Sequence, residues 1–326
     1  MPIYMATHSS KNANIKWNPL SGTILGRHRR GLESAGNCKG RVALRSISLA
    51  KVSLAAATLA MAILALGPAV GRELQPEAGL FPISLSDDLL LEFMQPKAGQ
   101  DAAATQWSEQ HVKQFVQIPG VKAGQFLVAS ASSGKDKPAF HDLAMYELTA
   151  DTASKLDTEM QARLQDGRLQ KGEELFEPLS SRILYRPLWT AVMARDVPGT
   201  DPKPIGAGPL SIHYLFVLSD PATPQQEDAY NSWYDRQHVP DVLRVPGFVS
   251  AQRYVRIGGD WQKPRYLVIF KIKTRDQDAT NAEVNRRIKQ GITKMSPAFG
   301  MTPGGMSLGG VYVPSGSLAL FTGLKR

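Results

Sequence analysis

Apolar positions along the chain fall into short runs separated by polar, turn-rich stretches. The first long run is Val52-Ser-Leu-Ala-Ala-Ala-Thr-Leu-Ala-Met-Ala-Ile-Leu-Ala-Leu66, uncharged and bounded by Pro68. Later runs are shorter, at Leu89–Met94, Val121–Val128, Leu143–Leu148, Ile183–Ala194, Tyr214–Leu218, Phe248–Val255, Tyr266–Ile272 and Leu308–Phe321. Their length and enrichment in Val, Ile, Leu, Tyr and Phe predict strands. Polar stretches with helical composition lie between them, at 152–164 and 277–292.

The order of these elements repeats. Trp107-Ser-Glu-Gln-His111-Val-Lys-Gln-Phe-Val-Gln-Ile-Pro119-Gly120 matches Tyr234-Asp-Arg-Gln-His238-Val-Pro-Asp-Val-Leu-Arg-Val-Pro246-Gly247 at a constant offset, and the match runs on to Gln125 and Gln252. A segment recurring at a fixed offset is the mark of a repeated structural unit. Each copy reads β-α-β-β-α-β, the split unit of ferredoxin-like folds. The stretch 196–210, rich in Pro and Gly, reads as a linker. The expected domains are a leader at 1–71, a first unit at 72–195, the linker, and a second unit at 211–326. A four-stranded sheet with helices on one face must cover the other, and the second copy can do so.

Trp233-Tyr234-Asp-Arg-Gln-His238-Val-Pro240, followed by Val245-Pro-Gly-Phe-Val-Ser-Ala-Gln-Arg-Tyr254, resembles the EthD-like branch of the dimeric α+β barrel superfamily. The resemblance covers most of 210–292 and, more faintly, 86–165. It implies an α+β fold of two fused ferredoxin-like units packed sheet to sheet as a barrel, an intrachain pseudo-dimer. Barrels of this superfamily include cofactor-free monooxygenases, lactone isomerases, polyketide cyclases and, more distantly, haem enzymes, so the fold does not choose a reaction.

Charge changes the picture at the N-terminus. The chain carries a formal +9, but residues 1–71 hold nine Lys/Arg against Glu33 alone, a balance of +8. The remaining 255 residues carry +1, so nucleic acid is not an expected partner. A basic flank, a 15-residue apolar run and Ala69-Val70-Gly71 read as a secretory signal peptide cleaved near Gly71. The run is short for a permanent span, and an anchor at 52–70 is the alternative. The long stretch before Arg41 suggests a later translation start. The expected location is periplasmic or secreted, and the single cysteine, Cys38, would leave with the leader.

His238 is the leading candidate for chemistry. Tyr230, Tyr234 and His238 fall on one helix face, and Pro240 has no N–H to return to Arg236, which interrupts the helix. A phenol beside an imidazole suits proton transfer. His238 is the expected acid or base, Tyr234 the donor to an oxyanion, and Asp241 the residue that orients the ring. A partly buried, backbone-satisfied histidine is the plain alternative. Tyr230, Trp233, Gln252, His213, His111 and Trp107 are expected to line a substrate site, though each has an ordinary packing role open to it. In the first copy Trp107, Lys113 and Gln114 replace Tyr234, Pro240 and Asp241, so that copy is expected to be structural. Arg253 and Arg256 point to opposite strand faces, against a joint clamp. Gly300–Gly310 reads as a flap. No zinc, haem-attachment or dinucleotide motif is present. The expected activity is cofactor-independent acid–base chemistry on a small apolar, aromatic, phenolic or lactone-like molecule. A barrel holding a hydrophobic ligand, or haem on His238, is the alternative.

Overall fold

The computed structural model describes residues 87–130, 138, 140–178, 181–189, 191–201, 203–259, 263–300 and 309–321. The leader, its apolar run and most of the Gly300–Gly310 segment lie outside these residues.

The first half runs β1 (Asp88–Met94), α1 (Asp101–Phe115), β2 (Val121–Ala129), β3 (Asp142–Leu148), α2 (Leu156–Gln165) and β4 (Ser181–Pro187). A two-residue strand, β5 (Val192–Met193), follows. The second half runs β6 (Ser211–Pro221), α3 (Glu227–Trp233), a π-helical turn (Tyr234–His238), α4 (Val239–Leu243), β7 (Phe248–Gly259), β8 (Tyr266–Thr274), α5 (Gln277–Lys289), β9 (Phe299–Gly300) and β10 (Gly310–Leu320). The strand order is β2-β3-β1-β4 in the first half and β7-β8-β6-β10 in the second, all antiparallel. Both are the ferredoxin-like order. β4 continues onto β7 and β10 onto β2, closing eight strands into an α+β barrel.

Both faces of these strands are covered, one by helices and one by the barrel interior. This is why β1 and β3 are buried along their whole length and read as continuous rather than alternating apolar runs. Leu89, Leu91, Phe93, Tyr214, Phe216 and Leu218 project inward from both halves and fill the barrel. An eight-stranded barrel is about wide enough for its side chains to fill. Leu215, Phe248, Val268, Phe270 and Ile272 face outward against α3, α4 and α5.

The two Pro-Gly pairs have a common cause. Gly120 and Gly247 adopt φ of +88° and +92°, and a Cβ on Gly120 would lie 1.7 Å from Thr152 Oγ1. Only glycine meets both demands. The linker has neither strand nor α-helix among its described residues, yet it is tied to the second half. Arg275 N–H donates to Ile205 O at 3.0 Å, and the Arg275 guanidinium to Gly208 O at 2.9 Å.

Candidate functional site

The helix facing β6, β7 and β8 is continuous from Glu227 to Leu243 but carries one wide turn. Val239 N–H bonds the carbonyl of Tyr234, five residues back, because Pro240 leaves the regular ladder short of a donor. The interruption expected after His238 is therefore a π turn before it, and the helix goes on. The turn gathers Trp233, Tyr234 and His238. The imidazole lies 4.5 Å from Trp233 and 5.2 Å from Tyr234 between ring centroids, the second pair at 86°. Tyr230 meets Tyr234 edge-on at 5.0 Å.

Beneath this turn lies a buried cation. Arg253 on β7 is 1% exposed, and its guanidinium sits 4.6 Å from the Tyr234 ring centre, 5.4 Å from Tyr266 and 5.5 Å from Tyr230. It donates to Asp235 Oδ1 at 2.5 Å and to Asn231 Oδ1 at 2.7 Å. A buried cation is tolerable only when paired and hydrogen-bonded, and the tyrosine faces add further attraction. The Tyr230 hydroxyl is engaged by Ser219 Oγ at 2.7 Å, and the Tyr266 hydroxyl donates to Glu227.

Two buried polar atoms here lack a well-formed hydrogen bond: the Tyr234 hydroxyl, which Ser219 approaches, and His238 Nδ1. Burial pushes the Tyr234 phenol up to about 12, with Ser219 and Arg253 pulling the other way, so it stays protonated. Burial pushes the His238 imidazole down to about 4, although the Lys294 carbonyl and Asp241 favour its charged form. At neutral pH the pair is thus an uncharged base beside an O–H donor, with a fixed cation under the phenol ring.

The remaining sequence candidates fall in different places. Asp241 does not hold the imidazole. Its carboxylate accepts from Gln237 at 2.6 Å, Arg244 at 2.8 Å and the Lys294 N–H at 3.2 Å. It thereby fixes the segment whose Lys294 carbonyl faces His238 and accepts from Trp233 Nε1 at 3.0 Å. Gln252 projects into the barrel interior, on the opposite face of β7 from Arg253, and its amide donates to the Trp189 carbonyl. The sequence register put the two Arg on opposite faces, and they are: Arg256 pairs with Tyr185, whose side chain fills the barrel. His213 lies on the helix face of β6, bonded to Ser211 Oγ at 2.9 Å. It is six residues from Ser219, about 20 Å along the strand. His111 and Trp107 stack on each other at 4.3 Å in the helix layer of the first half. The site at the π turn therefore excludes Gln252, His213, His111 and Trp107. Strand alternation suggested His213, and the repeat offset suggested His111, Trp107 and Gln252; neither pattern says which residues share one place in the barrel.

Arg253, Asn231, Asp235 and Ser219 were not chosen from the sequence. Arg253 left a signal: strand alternation puts it between Ala251 and Val255 on an otherwise apolar face.

Haem can be tested against these residues. A neutral imidazole with a partnerless nitrogen suits ligation. The space does not, since Trp233, Tyr234 and Phe299 pack around the imidazole with mutual centroid distances of 4.7 to 6.2 Å. A macrocycle would have to displace all three rings, so the site as folded does not fit it. Among the described residues no three His, Cys, Asp or Glu side chains group as a metal site. No helix among them is long and apolar enough to cross a membrane.

No protein-family model matches the chain, and comparison with curated proteins returns no match. Solved structures similar to it include an anthrone oxidase-like protein, with 12% identity and a TM-score of 0.45 over 74% of this chain and 95% of that one. A candidate monooxygenase from Fusobacterium nucleatum subsp. nucleatum gives 11%, 0.39, 74% and 98%. Chlorite dismutase from Candidatus Nitrospira defluvii gives 12%, 0.40, 71% and 91%. The fold assignment rests on the strand order above.

Proposed function

We propose that the protein is an EthD-like, cofactor-independent enzyme. It does acid–base chemistry on a small, largely apolar substrate of the aromatic, phenolic or lactone class. The observation that supports this is the pairing, on one helical turn, of two buried polar atoms without a well-formed hydrogen bond, the Tyr234 hydroxyl and His238 Nδ1. Buried polar atoms are usually satisfied, and a ligand that completes the bond is one explanation of an exception.

The roles follow from protonation. His238, neutral, accepts the substrate proton. The electron pair left behind gains the Tyr234 O–H as donor and the Arg253 charge beneath it. Asp241 is a positioning residue that acts through the Lys294 segment. Tyr230 and Trp233 form the wall.

The test is turnover by the purified full chain across phenols, enolisable ketones and lactones in air. His238→Ala is expected to lower kcat/KM by about 10²–10⁴, and Tyr234→Phe by about 10²–10³. Full turnover in His238→Ala, or tight binding without turnover in the parent, overturns the reading.

We also infer export, from the charge and apolar pattern of residues 1–71. The mature N-terminus, sequenced from protein made in its host, is expected at Arg72. A start well upstream refutes cleavage.

A further inference from the structure

The first half was expected to lack the phenol and the carboxylate that accompany His238. Its helix does lack them at the matching positions, but the sheet beneath supplies both. Glu92 on β1 lies directly across from Arg182 on β4, and both face α1 and α2. Tyr146 stands on the same face of β3. Glu92 is 7% exposed and His111 5%. Arg182 Nε donates to Glu92 Oε1 at 2.8 Å, while Oε2 lies 3.6 Å from His111 Nε2. One carboxylate oxygen thus serves the guanidinium and the other faces the imidazole. The Tyr146 hydroxyl approaches Glu92 without a hydrogen bond of good geometry. Trp107 stacks on His111 and holds its plane.

A purely structural cluster would close on itself. This one leaves two buried atoms without partners, His111 Nδ1 and Ser108 Oγ, while the Tyr146 hydroxyl faces Glu92. Ser108 and His111 are three residues apart on the buried face of α1. A carboxylate at Nε2 favours the tautomer with its proton there, which leaves Nδ1 as an acceptor. Glu92 and Arg182 cancel in charge, so the layer suits a neutral ligand that gives up a proton.

We propose that the first half carries a second acid–base site, built on His111 and Glu92, that takes a small neutral O–H acid of the phenol or enol class. In the step, the ligand O–H bond breaks and a bond from Nδ1 to that proton forms. The electron pair stays on the ligand oxygen, where the Ser108 hydroxyl donates to it. Glu92 faces the resulting imidazolium. The site shares no residue with the one at His238, so either can fail alone.

The probe is 4-nitrophenol, whose ionised form is coloured. In full-length His238→Ala, one equivalent is expected to bind and show the phenolate band below the pH at which free probe ionises. Adding His111→Phe should remove that equivalent, and adding Glu92→Gln should weaken the band at least about tenfold at equal occupancy. An unchanged band in either double variant overturns the proposal, as does no binding by His238→Ala. Histidine side-chain NMR of the unsubstituted protein covers the case of misfolded variants. His111 Nδ1 is expected to be unprotonated and to gain a proton as probe saturates. A proton already on Nδ1, or no change at saturation, also overturns it.

Discussion

His213 shows how far a single buried side chain sets the response to acid. It is 1% exposed, and burial holds its pKa down at about 4, against 6.5 unfolded. The unfolded chain therefore binds more protons between those values, and stability falls as pH drops from about 6.5 to 4, then levels off. For one such histidine the loss is about 3 kcal/mol. Glu92 acts in the same direction at lower pH: burial raises its pKa, but Arg182 and His111 outweigh that and hold it at about 2. Its contribution persists until pH falls below about 4.5. Urea titrations from pH 7 to 4 should show a steep decline in the parent and a shallower one in His213→Leu; equal slopes would refute the assignment. At this scale the sequence was partly legible. The phenol–imidazole pair could be read from a four-residue spacing, and Arg253 from a charge on an apolar face. The Glu92–Arg182 pair could not, because 90 residues separate its members and no local pattern marks them.

Elements were more legible than their details. The offset between Trp107–Gln125 and Tyr234–Gln252 carried the same helix and strand into each half, and the Pro-Gly turns marked where both helices give way to strands. Ends moved where local chemistry intervened. The run expected from Ile183 to Ala194 splits into β4, ending at Pro187, and the short β5. The helix expected to open at Thr152 opens at Leu156, after a turn stitched by the Thr149 and Thr152 hydroxyls at 2.6 Å. The π turn is the detail with consequences, since Pro240 has no N–H for Arg236 at α spacing or for Asp235 at π spacing. Pro240→Ala restores a donor and lets a regular helix form, which rotates Tyr234 and His238 relative to Arg253. Because proline inside a helix is costly and alanine is favoured there, stability should hold or rise by about 1 kcal/mol. Turnover at the proposed site should fall at least about tenfold. A variant equally active and equally stable would show the π turn to be incidental.

Periodicity could say that each half needed a cover for its bare sheet face, but not how the halves would join. The junctions are pairings between residues far apart: β4 with β7, and β10 with β2. β10 is shared, pairing through Gly310–Tyr312 with β6 and through Tyr312–Leu320 with β2. The barrel core likewise draws on both halves. The linker should therefore matter little once the barrel has formed. Asp201 and Lys203 are exposed, and a protease site placed between Thr200 and Lys203 would cut there without touching a strand. The nicked protein should elute from a native sizing column at the position of the uncut chain and show two fragments only after denaturation. Its unfolding should become concentration-dependent, since separation of the halves then adds translational entropy to the unfolded state. Fragments that part on the native column would mean that the two edge junctions and shared core do not hold the barrel without the covalent tie.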